Sequence, residues 1–247
     1  MAVRYFAEYM VEIQKLIAQA LDVNAEKIEN AAEMISACIY KGKVLYVFGP
    51  SHAGLMAQDL FYRAGGLLAI EPILPEELML NVKPITRTSE FERQSGFAAR
   101  ILNGIPLEND DVLLIISVSG RNAVVTEMAS IARAKGVTII ALTNLNYSKQ
   151  IKPRSGDHNL FELADIVIDL PGVYGDAIIE IEGIAQKAGP TSTSVGSAIL
   201  QGLMVEVAAR LNGKGFPPPI LRSANLDDGD IQNKKMFDEY RAKVSYL

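Results

Sequence analysis

Two hydrophobic patterns divide the chain. Apolar residues recur at helical spacing over residues 3–20 and 24–41, whereas short, uninterrupted apolar runs begin at residue 44. Helical spacing places the apolar side chains on one face, so it predicts two N-terminal helices. A short, uninterrupted apolar run is typical of a strand that is buried on both faces, as in a parallel sheet.

Five runs of this kind predict strands, and segments with helical spacing separate most of them. We therefore predict an α/β protein with a doubly wound, mainly parallel sheet flanked by helices, which is a Rossmann-like three-layer sandwich. The predicted strands are residues 44–48, 67–73, 112–116, 137–142 and 166–168.

A helix is predicted over residues 89–103, because Ser89 and Glu92 have the spacing of a capping box. The residues before it, 72–88, are predicted to form a long loop. Long loops in compact domains are more often functional than idle.

Two later segments are irregular. Residues 171–190 contain an alternation of isoleucine and glutamate at 179–182, which predicts a small strand. The tail opens with three prolines after Phe216 and predicts a helix over residues 233–244.

The composition supports one sizeable core. The 247 residues are 49% hydrophobic and 21% charged, without a low-complexity run. We expect a single domain over residues 1–247. Its parts are a helical preface at 1–41, an α/β core at 42–211, and a proline-rich linker with a C-terminal tail at 212–247.

The charge pattern argues against two classes of binding partner. A net charge of −5 without a dense Lys/Arg cluster offers no attractive field for nucleic acid or an anionic membrane surface. Charged residues interrupt the N-terminal apolar pattern, so we expect neither a signal peptide nor a membrane span there.

The few cysteines and histidines are also informative. The single Cys38, on a predicted buried helix face, cannot form an internal disulfide, which suits a reducing cytoplasm. With only two histidines beside it, we expect no metal site, and no cofactor is implied.

Three loops rich in small or hydroxyl residues are candidate ligand sites. In open parallel sheets the ligand lies beyond the carboxyl ends of the strands. Glycine permits a tight strand-to-helix turn, and hydroxyl groups together with the free N–H groups of a helix start hold a phosphate without formal charge. The candidate binding residues are Gly49 and Ser51 in the first loop, Ser117, Ser119, Gly120 and Asn122 in the second, and Thr191, Ser192 and Thr193 in the third, preceded by Lys187.

Each loop taken alone also fits ordinary turn and cap chemistry. Three loops on one edge of the sheet favour a ligand site. The second loop is the best phosphate candidate because it combines two hydroxyls, a glycine and a helix cap.

Three residues are candidates for acid/base chemistry. His52 is the preferred one, and Asp59 is the second, at helical spacing from His52 and from Arg63, with which it can pair. Glu206 on the late helix is the third, although it also fits an ordinary charged helix residue. Acid/base groups beside a phosphate anchor are what proton transfer on a bound ligand requires.

The chain resembles a known family at the residues that follow its strands. Gly49 with Ser51, the second loop, and the late hydroxyl-rich helix start resemble the SIS (sugar isomerase) domain over about residues 30–211. Over its whole length the chain also resembles a poorly characterised group of SIS proteins, some of which are labelled phosphoheptose isomerases. Residues 61–67 and 223–233 carry that second resemblance.

The resemblance implies a five-stranded parallel sheet and phosphosugar binding by Ser117, Ser119 and Asn122. It also implies homodimers or homotetramers with sites near subunit boundaries. Related isomerases and etherases place a catalytic glutamate on the helix after the first loop, but residues 58–63 contain none. A sugar-phosphate isomerase, a noncatalytic sugar-phosphate sensor and an amino-sugar-phosphate lyase or etherase therefore all remain open.

Overall fold

The computed structural model describes residues 3–247. Helices and strands alternate after a long first helix, as the hydrophobic pattern predicts. The helices are α1 Arg4–Tyr40, α2 His52–Leu60, α3 Arg87–Arg93, α4 Phe97–Leu102, α5 Ala123–Ala134, α6 Leu145–Ser148, α7 Leu160–Leu163, α8 Ser192–Gly213 and α9 Gly229–Tyr240. The strands are β1 Leu45–Phe48, β2 Ile70–Ile73, β3 Val112–Ile116, β4 Thr138–Thr143, β5 Ile166–Asp169, β6 Ala177–Ile179 and β7 Ala188–Pro190.

The main sheet has five strands in the order β2-β1-β3-β4-β5, and every pairing in it is parallel. All residues of β1 and β3 are buried, as expected for strands covered on both faces. The predicted doubly wound α/β fold is thereby confirmed.

Helices α1 and α8 pack against each other, and α1 also contacts β5. The buried Asn24 fixes α1 to the sheet. Its Nδ2 donates to the Asp169 carbonyl at 2.8 Å, and its Oδ1 accepts from the Asp169 N–H at 2.8 Å. Cys38 lies on the buried face of α1, as predicted, and burial raises the pKa of its thiol to about 11.

The N-terminal helices differ from the prediction. One continuous helix of 37 residues replaces the two predicted helices. Residues 21–23 contain neither glycine nor proline, so nothing interrupts the backbone hydrogen bonds there.

The helix predicted over 89–103 is instead divided into α3 and α4. Gly96 adopts a left-handed φ of 80° immediately before α4, which ends the α3 path. The predicted capping box is also wrong, because α3 begins at Arg87 and leaves Ser89 inside the helix.

The segment 171–190 contains an antiparallel hairpin of β6 and β7. The predicted small strand is present, but it begins earlier and ends at Ile179. The C-terminal helix α9 likewise begins and ends about one turn earlier than predicted.

The chain after α8 runs antiparallel to the residues directly before β2. The N–H of Gly65 donates to the Leu221 carbonyl at 2.8 Å, and the N–H of Leu68 donates to the Pro219 carbonyl at 2.8 Å. The buried Glu71 of β2 accepts hydrogen bonds from the backbone and the side chain of Ser245.

Within residues 3–247, α8 is the one helix with the length and composition of a membrane span, at a mean hydropathy of 1.2. Core helices of soluble proteins meet the same criterion. Since α8 packs against α1 and α2, it is a structural helix of a soluble fold.

Candidate functional site

The site lies where β1 and β3 end side by side in the sheet. Their following loops run to helices α2 and α5, and a ligand crevice is expected at such a point of a doubly wound fold. A cleft of about 280 Å³ opens there, between the first and second loops. Residues of α3, the β4–α6 region and the segment before β6 complete its lining, through Glu92, Tyr147, Gly175 and Asp176.

The first loop makes a tight turn from β1 into α2. A Cβ on Gly49 would lie 2.6 Å from the Ala53 carbonyl oxygen, so the turn accepts only glycine there. Ser51 has φ 52° and ψ −121°, a backbone conformation that residues other than glycine rarely adopt. Its N–H donates to the Leu78 carbonyl at 2.9 Å, and its Oγ donates to Glu92 Oε1 at 2.5 Å.

The second loop places hydroxyl and amide groups at the start of α5. Ser117 is buried, and its Oγ accepts from the Gly120 N–H at 3.2 Å. Asn122 is the N-cap residue of α5, as predicted, and its Nδ2 donates to Glu92 Oε2 at 2.7 Å. The half-exposed Ser119 lines the cleft, and its hydroxyl makes no hydrogen bond to residues 3–247.

Glu92 is the residue that sequence reasoning missed. It is half-buried, and its two carboxylate oxygens join the first loop to the second through Ser51 and Asn122. Its contact with Ser51 spans 41 residues along the chain, so no local spacing could reveal it. The structure therefore adds a carboxylate to the cleft, although α2 carries no glutamate.

The third loop also starts a helix, but its donors are already engaged. Asp176 Oδ1 accepts from the Thr191 N–H at 3.0 Å, from Thr191 Oγ1 at 2.9 Å and from the Ser192 N–H at 2.9 Å. Its Oδ2 accepts from Ser192 Oγ at 2.6 Å. A carboxylate of the chain itself thus lies where the sequence predicts a bound phosphate. Thr193 follows, half-buried, in the first turn of α8.

Lys187 lies on the hairpin before the third loop and does not line the cleft. Its Nζ forms an ion pair with Glu180 Oε1 at 2.9 Å, and this contact lowers the pKa of the Glu180 carboxyl. Both side chains are exposed, so the pair holds the hairpin only weakly.

Of the three acid/base candidates, His52 alone lines the cleft, where it is the exposed first residue of α2. Asp59 forms the expected ion pair with Arg63 and accepts from Gln201 Nε2 at 2.9 Å. Asp59 therefore joins α2 to α8 and does not line the cleft.

Glu206 lies on an exposed face of α8 and lines a different groove, between α1 and α8. That groove is mainly apolar, with Ile17, Leu21 and Ile199 among its residues. Among residues 3–247 there is also no cluster of three or more His, Cys, Asp or Glu side chains that could hold a metal ion.

Comparison with solved structures supports the fold at low sequence identity. The phosphoheptose isomerase GmhA from Neisseria gonorrhoeae superposes with a TM-score of 0.59 at 17% identity, covering 86% of this chain and 100% of its own. A phosphoheptose isomerase from Francisella tularensis gives a TM-score of 0.53 at 16% identity, covering 85% and 99%. These likenesses show the architecture alone.

Similarity in sequence is much higher to other proteins. A UPF0309 protein of Shouchella clausii is 43% identical over 244 residues, which are 98% of this chain and 99% of the relative. A UPF0309 protein of Brucella canis is 41% identical over 245 residues, or 99% and 98%. The family model described as the SIS domain matches residues 8–144, more than half of the chain. The predicted resemblance is confirmed, and the chain belongs to the SIS domain family, together with these UPF0309 proteins.

Proposed function

We propose that the chain is a sugar-phosphate isomerase whose reaction takes place in the cleft between the first and second loops. One observation carries the proposal. The Glu92 carboxylate and the His52 side chain line the same cleft as the free hydroxyl of Ser119. A base, a proton-transfer group and a phosphate anchor are the parts that this reaction needs.

The phosphate group is held at the second loop. The first N–H groups of an α-helix have no partner within the helix, and α5 has 12 residues whose start borders the cleft. Ser119 adds a hydroxyl donor, and the left-handed Gly120, with φ 61°, lets the backbone turn toward the anion. This arrangement suits an acidic protein, because backbone and hydroxyl donors attract an anion without formal charge.

Glu92 is the base. Its carboxylate takes the proton from the carbon next to the substrate carbonyl, which leaves an enediolate. A proton then returns to the former carbonyl carbon, while His52 transfers a proton between the two substrate oxygens. The hydrogen bonds from Ser51 and Asn122 fix the orientation of the carboxylate during these steps.

The assembly and location follow the same proposal. We place the protein in the cytoplasm, in carbohydrate metabolism, as a homodimer or homotetramer. Support for self-association comes from apolar side chains that α1 leaves exposed, among them Phe6, Val11 and Leu21.

The direct test is proton exchange in deuterated water. A panel of aldose and ketose phosphates is first screened for thermal stabilisation, and a stabilising compound is then followed by NMR for deuterium at the carbon next to the carbonyl. For Glu92→Gln we expect exchange to fall about 100-fold or more, since general base catalysis contributes roughly 10²–10⁴. Affinity for the same compound should change less than about threefold, because the amide keeps the same shape.

Glu90→Gln is the matched control, because Glu90 is an exposed glutamate on the same helix. It should exchange at the parent rate. If no sugar phosphate stabilises the protein, the proposal of a phosphate site at the second loop is wrong. Binding without exchange would favour a sensor, and release of an ether or amine substituent would favour a lyase or etherase.

A further inference from the structure

Three arginines belong to segments that contact one another beside the cleft. Arg121 lies in the second loop, directly before Asn122, and Arg93 follows Glu92 on α3. The hydrogen bond between Asn122 and Glu92 therefore brings their neighbours together. Arg154 joins them, because its N–H donates to the Arg121 carbonyl at 2.9 Å.

None of these guanidinium groups has a carboxylate partner. Within residues 3–247, no Asp or Glu oxygen lies within 4.0 Å of Arg93, Arg121 or Arg154, although the chain has more acidic than basic residues. The Nε of Arg121 is buried without a hydrogen-bond partner. A buried donor without a partner is costly, so it is a place where a ligand acceptor gains free energy.

Charge repulsion agrees with this geometry. Burial and then the positive charges of Arg93 and Arg121 lower the pKa of the Arg154 guanidinium, while Glu92 and Tyr147 act in the opposite direction. Glu92 and Asn122 line the cleft, and they are the chain neighbours of Arg93 and Arg121. The Glu92 carboxylate is already bonded to Ser51 and Asn122. An anion that binds here would relieve the repulsion between the three cations.

We propose that Arg93, Arg121 and Arg154 form a second anion site, so that the ligand is a sugar phosphate that carries another anionic group, a carboxylate or a second phosphate. The proposal rests on the proposed function, because the first phosphate occupies the second loop. Guanidinium groups bind both carboxylate and phosphate through paired N–H donors, so the site itself recognises the shared chemistry of these two groups.

The test uses two matched pairs of probes in calorimetric titrations at low ionic strength. Sorbitol 6-phosphate and 6-phosphogluconate differ by a carboxylate at the far end. Fructose 6-phosphate and fructose 1,6-bisphosphate differ by a second phosphate. We call a probe with one anionic group singly anionic and a probe with two such groups doubly anionic. We expect the parent to bind the doubly anionic member of at least one pair at least about tenfold more tightly. The pair that shows the preference identifies the second group.

Arg154→Gln and Arg93→Gln should reduce that preference to within about threefold and leave the singly anionic probe unaffected. Arg87→Gln is the control, because Arg87 is exposed like Arg93 and lies on the same helix, but packs on the Phe91 ring. It should keep the full preference. Two separate variants guard against one that fails to fold, and the melting temperature of each shows its folded state.

Two results would overturn the second site. One is that the parent protein binds the singly anionic probes but binds both members of each pair with equal affinity. The other is an equal loss for both members in Arg154→Gln, which would mean that the arginines hold the single phosphate. If none of the four probes binds and no compound of the sugar-phosphate panel stabilises the protein, the proposed function fails, and the second site fails with it.

Discussion

Hydroxyl residues lie just before helix α5 and at the start of helix α8, but the surroundings of their donors differ. At the α5 start, Ser119 and the N-cap residue Asn122 border the cleft. At the α8 start, the donors of Thr191 and Ser192 all point at the carboxylate of Asp176. A hydroxyl-rich helix start therefore predicts an anion site. Contacts from other segments of the chain determine whether the anion is a ligand or a carboxylate of the chain itself.

The α8 start is accordingly a structural joint, in the sense that Asp176 ties it to the segment before β6. Asp176 precedes the β6–β7 hairpin and adopts φ 58°. The last residue of the hairpin is held by Tyr9 of α1, whose hydroxyl donates to the Pro190 carbonyl at 2.7 Å. At the α5 start the internal carboxylate, Glu92, bonds to the Asn122 side chain and leaves the Ser119 hydroxyl without a partner within residues 3–247, which is why we propose this start for the ligand.

Asp176→Ala should lower the free energy of unfolding by about 3 kcal/mol, because it removes a charged acceptor from four buried donors. Urea denaturation measures the change. Asp157→Ala, at an exposed loop aspartate, is the control and should change the value by less than about 0.5 kcal/mol. A similarly small effect of Asp176→Ala would mean that Asp176 is not a structural joint.

Gly120→Ala should lower the unfolding free energy by about 2 kcal/mol, because alanine is strained at φ 61° and its Cβ would lie 3.2 Å from Leu160 Cβ and Ser148 Oγ. The α5 start then depends on backbone shape, whereas the α8 start depends on a carboxylate. Gly104→Ala, where no atom lies within 4 Å of the new Cβ, should be nearly neutral in the same assay. Equal losses in both variants would remove the special role of Gly120.

Ser119→Ala should weaken binding of a stabilising sugar phosphate about tenfold, which corresponds to about 1.4 kcal/mol for one hydrogen bond to a charged group. Its unfolding free energy should stay close to that of the parent, because the hydroxyl has no partner within residues 3–247. Calorimetric titration measures the affinity. An unchanged affinity would show that the phosphate binds elsewhere.

Ser192→Ala should change that affinity less than about twofold, since its hydroxyl is bonded to Asp176. The same variant should lower the unfolding free energy by about 1 kcal/mol, the usual loss for one buried hydrogen bond. Measured beside Ser119→Ala, it separates a binding serine from a structural serine. A tenfold loss of affinity would mean that the phosphate displaces Asp176.

The strands could be predicted because their burial leaves a direct trace in the sequence. Strands β1, β3 and β4 lie within one residue of their predicted bounds, since side chains on both faces must be apolar. Strand β2 is shorter than predicted, because the residues before it, from Leu67, bond to the tail instead.

The candidate site was only partly predictable. The first and second loops follow directly from their strands, so their convergence is a consequence of parallel pairing. Glu92 and Asp176 reach the loops from segments distant in sequence, and no local spacing records such a contact. Local spacing can also suggest a contact that does not form. Asp59 has helical spacing from His52, but its carboxylate does not line the cleft.

The position of the tail at the β2 edge affects how the protein behaves in a crowded solution. β2 is an outer strand of the sheet, and an uncovered outer strand offers free N–H and C=O groups to any other extended chain. Residues 219–221 bond to the backbone directly before β2, at residues 65–68, and Ser245 bonds to the Glu71 side chain within it. We expect the tail to shield this edge from other chains, so that proteolytic cleavage within the tail lowers solubility.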